Sequence, residues 1–146
     1  MHRLLAFFFL AIVSLTACDS SQPEQPKTSE ASKQAIQQLG VAVALNNKAT
    51  QFKNQFPSFE RVSAADMTRL KSLWVSALIE AREIDIDALN ADTLGFGDAF
   101  SDKFIKGLEL CVDGNGQMDI VQGQLLLDAF GQNLSAVKAQ KRASAR

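Results

Sequence analysis

The sequence predicts an all-α fold: a small bundle of about four helices behind a signal peptide and a flexible tether. Three observations carry this. Apolar residues recur every three or four positions in four separate stretches, the period of one helix face. Ser, Pro and Gly residues fall between those stretches, where helices start and stop. No convincing strand pair and no internal repeat is present.

The chain opens with His2 and Arg3, then an unbroken apolar run over residues 4–13. A basic start, a ten-residue apolar region and a small residue before a cleavage point read as a secretory signal, too short for a membrane span. The run ends in Leu15-Thr16-Ala17-Cys18. This stretch resembles the lipobox of bacterial lipoproteins. The resemblance implies a signal peptide over residues 1–17, a diacylglyceryl group on the Cys18 thiol and an N-acyl (palmitate-type) chain on the new N-terminus. It places the protein in a bacterial cell envelope. Asp19 resembles the inner-membrane retention signal of enteric bacteria, which in a Gram-negative host implies the periplasmic face of the inner membrane over the outer membrane. Residues 19–31 hold two prolines and no large apolar side chain. With the lipidated Cys18 they read as a disordered tether over 18–31, reaching at most ~40 Å.

The helical domain is expected over 32–139. A first helix runs from about Ser32 to about Gln55, with Ala35, Ile36, Leu39, Val43, Ala49, Phe52 and Phe56 mostly on one side. Pro57 should end it at Phe56. The second helix has the clearest start: Ser63 as N-cap and Asp66 three residues on form an acidic capping box. Met67, Leu70, Trp74, Ala77, Leu78 and Ala81 make its apolar stripe, with Trp74 as a core anchor. Ile84-Asp85-Ile86-Asp87 alternates like a strand but is too short to stand alone, so a short extra turn is expected at 87–91. Leu94-Gly95-Phe96-Gly97 reads as a loop.

A third helix follows Asp98, with Phe100, Phe104, Leu108 and Cys111 inward and Asp102 paired with Lys106 at i,i+4. Asp113-Gly114-Asn115-Gly116 breaks it. A fourth helix runs from about Met118 to about Ala139, burying Leu126, Leu127, Phe130, Leu134 and Val137. Gly131 is a point where it can kink. Residues 140–146 form a basic frayed tail.

Composition excludes several functions. Residues 18–146 carry fourteen Lys and Arg against sixteen Asp and Glu, no footprint for nucleic acid. With Cys18 lipidated, Cys111 is the remaining thiol, so no intramolecular disulfide forms. Its neighbours are apolar, which reads as a buried small hydrophobe rather than a reactive thiol. His2 is the one histidine and there is no tyrosine. Catalysis beyond the signal would have to run on Asp, Glu, Lys, Ser or Cys111.

One stretch resembles a known ligand loop. Set on the twelve-residue EF-hand pattern, Asp113 and Asn115 fall on positions 3 and 5, Gly116 on the turn, Met118 on the apolar position 8 and Asp119 on position 9. Cys111 replaces the first acidic ligand and Gln122 the closing bidentate Glu. Asp113, Asn115 and Asp119 are thus candidate calcium ligands in an incomplete set, since calcium takes six to eight oxygens. A glycine-rich interhelical turn is the reading the set favours. Asp85, Asp87 and Asp92 read as loop and cap carboxylates. Lys138, Lys141, Arg142 and Arg146 suit a helix C-terminus better than a lipid-binding polybasic patch.

The expected function is a membrane-anchored, non-enzymatic binding or assembly module without a cofactor beyond its covalent lipid. Its partner would be another envelope protein or a small apolar ligand. The alternatives are a calcium-binding lipoprotein using residues 111–122, and a carboxylate-based envelope hydrolase.

Overall fold

The computed structural model describes residues 29–92 and 96–144. Cys18, Asp19, the signal and most of the tether lie outside the described residues, as do Leu94, Gly95 and Arg146. Five helices and no strand occur among the described residues: α1 (Glu30–Lys53), α2 (Ala64–Arg82), α3 (Ile86–Asp92), α4 and α5 (Gln117–Ser144). Helix α4 is continuous over 96–113 in three parts, α-helical Phe96–Ala99, a wider π turn at Phe100–Ile105 and α-helical Lys106–Asp113. None of the described helices is long and apolar enough to cross a membrane.

The all-α expectation holds, with shifted boundaries. α1 starts at Glu30, inside the stretch read as tether, because the Ser29 hydroxyl caps it by accepting the Ser32 N–H at 3.1 Å. α2 starts as read: the Ser63 hydroxyl accepts the Asp66 N–H at 3.1 Å and donates to the Asp66 carboxylate at 2.7 Å. The extra turn near Asp87 is a two-turn helix, capped by Asp85, whose carboxylate accepts the Ala88 N–H at 2.9 Å. A 3-10 turn at Phe59–Arg61 was not expected.

Phe96 and Gly97 are helical and buried, not loop. The Asn90 side-chain oxygen accepts the Gly97 N–H at 2.8 Å, and Phe96 packs on Phe130 with ring centroids 5.4 Å apart. Asp102 and Lys106 form no ion pair: the π turn between them removes the α-helical i,i+4 register. α5 continues to Ser144, so the expected tail is helical as far as that residue. Residues 138–144 contain no Gly or Pro and are rich in Ala, Lys, Gln and Arg, good helix formers.

α1 packs on α2 and α3, α2 on α4, and α4 on α3 and α5. Small residues allow the first contact: Ala35, Ala42 and Ala49 on α1 and Ala77 and Ala81 on α2 are all at most 1% exposed. Trp74 is fully buried, as its place in the stripe predicts. Phe100, Phe104 and Phe130 form an aromatic cluster with centroids 5.0 to 5.8 Å apart. Ser32 ties α1 to α3 by donating its buried hydroxyl to the Ala88 carbonyl at 2.8 Å. On the surface, Arg82 pairs with Glu109 at 2.9 Å across α2 and α4, worth about 1 kcal/mol at most.

Two glycines hold the α4–α5 crossing together. A Cβ on Gly123 would lie 2.6 Å from the Gly107 carbonyl oxygen and 2.7 Å from Cys111 Sγ. A Cβ on Gly107 would lie 2.9 Å from the Gly123 carbonyl oxygen. Gly40 and Gly131, by contrast, have open space where a Cβ would go. Gly40→Ala and Gly131→Ala should each raise stability by about 0.5–1 kcal/mol, seen as a higher urea midpoint, because a helix-interior glycine carries only the entropy cost there.

Candidate functional site

α1 and α5 run past each other in opposite senses but do not pack closely, and a cleft of about 510 Å³ lies between them. Its floor is Phe104, Leu127 and Phe130; α1 contributes Val43, Asn46, Asn47 and Thr50, and α5 contributes Asp128, Leu134 and Ser135. A second recess of about 360 Å³ shares Val43, Asn47 and Leu134 and extends to Ile36, Leu39 and Lys138. Together they form one groove. Its α1 wall runs from Ile36 to Thr50, about 21 Å at helical rise.

The groove corrects the expected buried faces. Ile36 is 38% exposed and Val43 is half-buried, although both were expected in the core stripe. The core stripe of α1 is Ser32, Ala35, Leu39, Ala42, Asn46 and Ala49; Ile36 and Val43 stand one position beyond Ala35 and Ala42, toward the cleft. On α5, Leu126, Leu134 and Val137 are half-buried, while Ile120 and Gln124 are buried and were not expected.

Two polar residues sit on the α1 core stripe, and they differ. Ser32 is paired, as above. Asn46 is 8% exposed, and its side-chain oxygen is buried without a hydrogen-bond partner. An unmet buried carbonyl costs about 1–3 kcal/mol. The nearby hydroxyls are used locally: Thr50 donates to the Asn46 backbone carbonyl at 3.1 Å and Ser135 to the Gly131 carbonyl at 2.9 Å. Neither periodicity nor motif singled out Asn46; a polar residue between Ala42 and Ala49 in heptad spacing is the signal that could have found it.

The candidate calcium ligands sit at the α4–α5 connection. Asp113 is in the last turn of α4, exposed, and Asn115 is exposed in the turn. The Asp119 carboxylate accepts the Asn115 N–H at 2.8 Å and so caps the start of α5. Lys71 donates to the Val112 carbonyl at 3.2 Å, placing an ammonium at the C-terminal end of α4. The arrangement is that of a capped interhelical turn. Among the described residues, no three His, Cys, Asp or Glu side chains stand close enough to hold a metal ion together.

Cys111 is fully buried on α4. Gln124 donates to its sulfur at 3.5 Å, and the thiol donates to the Ile120 carbonyl at 3.8 Å. Burial pushes the thiol up to about 11. It should therefore resist alkylation in the native state at neutral pH and react fully in urea. The pH dependence has a fixed sign: with a raised folded value the contribution is intact below about 9 and is lost as pH rises towards about 11, because the unfolded thiol ionises first. Urea midpoints across that window check this, with Cys111→Ala flattening the fall.

No family model, curated protein or solved structure matches this chain.

Proposed function

We propose that this chain is a lipid-anchored, non-enzymatic envelope module that holds an amphipathic helix of a partner protein in the α1/α5 groove. The observation that carries it is the open fourth side of the bundle. Among the described residues the three other sides of the α1–α2–α4–α5 set are packed, and this one leaves Ile36, Val43 and Leu134 as walls beside the floor of Phe104, Leu127 and Phe130. A groove about four helical turns long suits a helix laid between two helices. Charge adds direction: Asp128 is the charged residue at one end and Lys138 at the other, ten residues or about 15 Å apart along α5. The matching segment has apolar residues at i, i+3, i+4 and i+7, a base at the Asp128 end and an acid at the Lys138 end.

The anchor reading rests on the lipobox-like Leu15-Thr16-Ala17-Cys18. The non-enzymatic reading rests on a chain with no His beyond His2, no Tyr, and a deeply buried Cys111. A photo-crosslinking residue placed at Val43 or Leu134 in cells tests the groove, with exposed Ile79 on α2 as control. Both groove positions should capture one segment with that apolar spacing and charge order. Capture no greater than at Ile79, or of segments lacking that pattern, would refute the reading.

A further inference from the structure

We propose that the occupant of the α1/α5 groove is α1 of a second copy of this chain, lying parallel to the first about a two-fold axis. The inference rests on the groove and the anchor proposed above and names the partner. α1 carries no charged residue from Gln34 to Asn47. Two adjoining stripes run along that stretch at alternating four- and three-residue spacing. Ile36, Gly40, Val43 and Asn47 line the groove. Gln37, Val41, Ala44 and Lys48 stand one position, about 100°, further round the helix. All four are exposed, and Val41 leaves an apolar side chain in water. The two stripes together make a helix face wide enough to meet two neighbours, as a segment seated between α1 and α5 must. Gly40 has open space where a Cβ would go and Ala44 is small, so two α1 axes can approach closely there.

Charge sets the direction. A two-fold axis along the helices leaves every residue at its own level. Asp128 lines the cleft with Asn46, Asn47 and Thr50, so it stands at the level of Lys48 of the second copy. Among the described residues neither Lys48 nor Asp128 is in an ion pair within its own chain. Parallel seating brings them together twice per dimer. Antiparallel seating carries Lys48 of the copy to the Lys138 end, like charge against like. Glu30 gives α1 its acid at the Lys138 end but is shared with Lys33 at 2.7 Å, so Lys48 and Asp128 carry the direction. The anchor agrees. Residues 19–28 connect Ser29, the cap of α1, to Cys18, and a parallel pair presents both anchors at one end. α1 is 24 residues, about 36 Å long. In an upright antiparallel pair one anchor would start that much farther from the membrane, the full extended reach of residues 19–28. Confinement to one membrane also raises the effective concentration of each copy, so a seam of four turns suffices.

Cysteine pairing in the membranes of cells making the full chain tests this. Gly40→Cys and Asn47→Cys each place a thiol on the groove-facing stripe, one heptad apart; Gly40 has open space for it and Asn47 is exposed. Cys111 is buried and does not compete. After copper–phenanthroline oxidation both variants should form disulfide-linked dimers with themselves, since a parallel two-fold sets each position beside its own copy. Ile79→Cys, on the exposed side of α2, should not. In the Gly40→Cys background, Lys48→Asp and Asp128→Lys should each lower the dimer yield roughly 5-fold or more, because each removes two contacts. Both changes in one chain should restore it. Pairing only between Gly40→Cys and Asn47→Cys chains made in the same cell would mean antiparallel seating and overturn the proposal. Equal yield at Ile79→Cys, or no rescue by the charge swap, would overturn it too. The groove reading fails separately. A photo-crosslinking residue at Val43 that captures a segment of another protein overturns the second copy and leaves the groove standing, whereas capture of nothing overturns both.

Discussion

Gly123→Val should destabilise the bundle by about 3 kcal/mol or more, at the upper end of what overpacking costs. Even the Cβ of alanine would sit 2.6 Å from the Gly107 carbonyl and 2.7 Å from Cys111 Sγ. The obstruction on one side is backbone, so no side-chain rotation relieves it. α4 and α5 must separate, which loosens Leu108, Leu127 and the Phe104 and Phe130 pair along the same interface. Gly123→Ala should cost less, about 1–3 kcal/mol. Urea denaturation should show a lower midpoint for both. Adding Cys111→Ala to Gly123→Ala should cost less than the sum of the two single changes, because it removes the sulfur that the new methyl meets while the Gly107 carbonyl remains. Strict additivity, or an unchanged midpoint in Gly123→Val, would mean that the helices do not cross at this notch.

Cys18→Ser should convert a membrane-held protein into an unacylated one. Each buried methylene contributes about 0.8 kcal/mol, and a single myristoyl-length chain already binds reversibly. The lipoprotein resemblance implies three chains, so attachment should be effectively permanent and its loss complete. Membrane fractionation and intact mass report the two halves. The wild type should sediment with membranes at a mass increased by diacylglycerol and one acyl chain. The variant should lack that increment and be released or remain as uncleaved precursor. Unchanged retention with an unchanged mass would rule out Cys18 as the attachment point. The groove proposal is separate: it concerns residues 36–138 and survives either outcome.

Helix positions were legible wherever the signal is local. Ser63 with Asp66 marked the start of α2, Pro57 followed the end of α1, and Asp113-Gly114-Asn115-Gly116 separated α4 from α5. Each depends on residues no more than four positions apart. Trp74 and Cys111 were also legible as core residues, since both lie on a strong apolar stripe. The helical start of α4 at Phe96 was not, because Gly97 signals a loop until Asn90, on a different helix, accepts its N–H. The candidate site was least legible. Ile36 and Val43 are apolar like most of the core stripe and lie only about 40° around α1 from its buried Ser32 and Leu39.

By itself, then, the sequence determined an all-α chain, its main helices and caps, a lipobox-like entry at Cys18 and the scarcity of catalytic side chains. The tertiary structure decided which neighbour each face meets. Helical period specifies the angle at which a side chain leaves its axis, but not what stands opposite. Only the packing of α4 on α5 made Gly107 and Gly123 an interlocked pair. Only the distance left between α1 and α5 turned one edge of an apolar stripe into a groove, and only the packing around Asn46 left its buried side-chain oxygen without a partner.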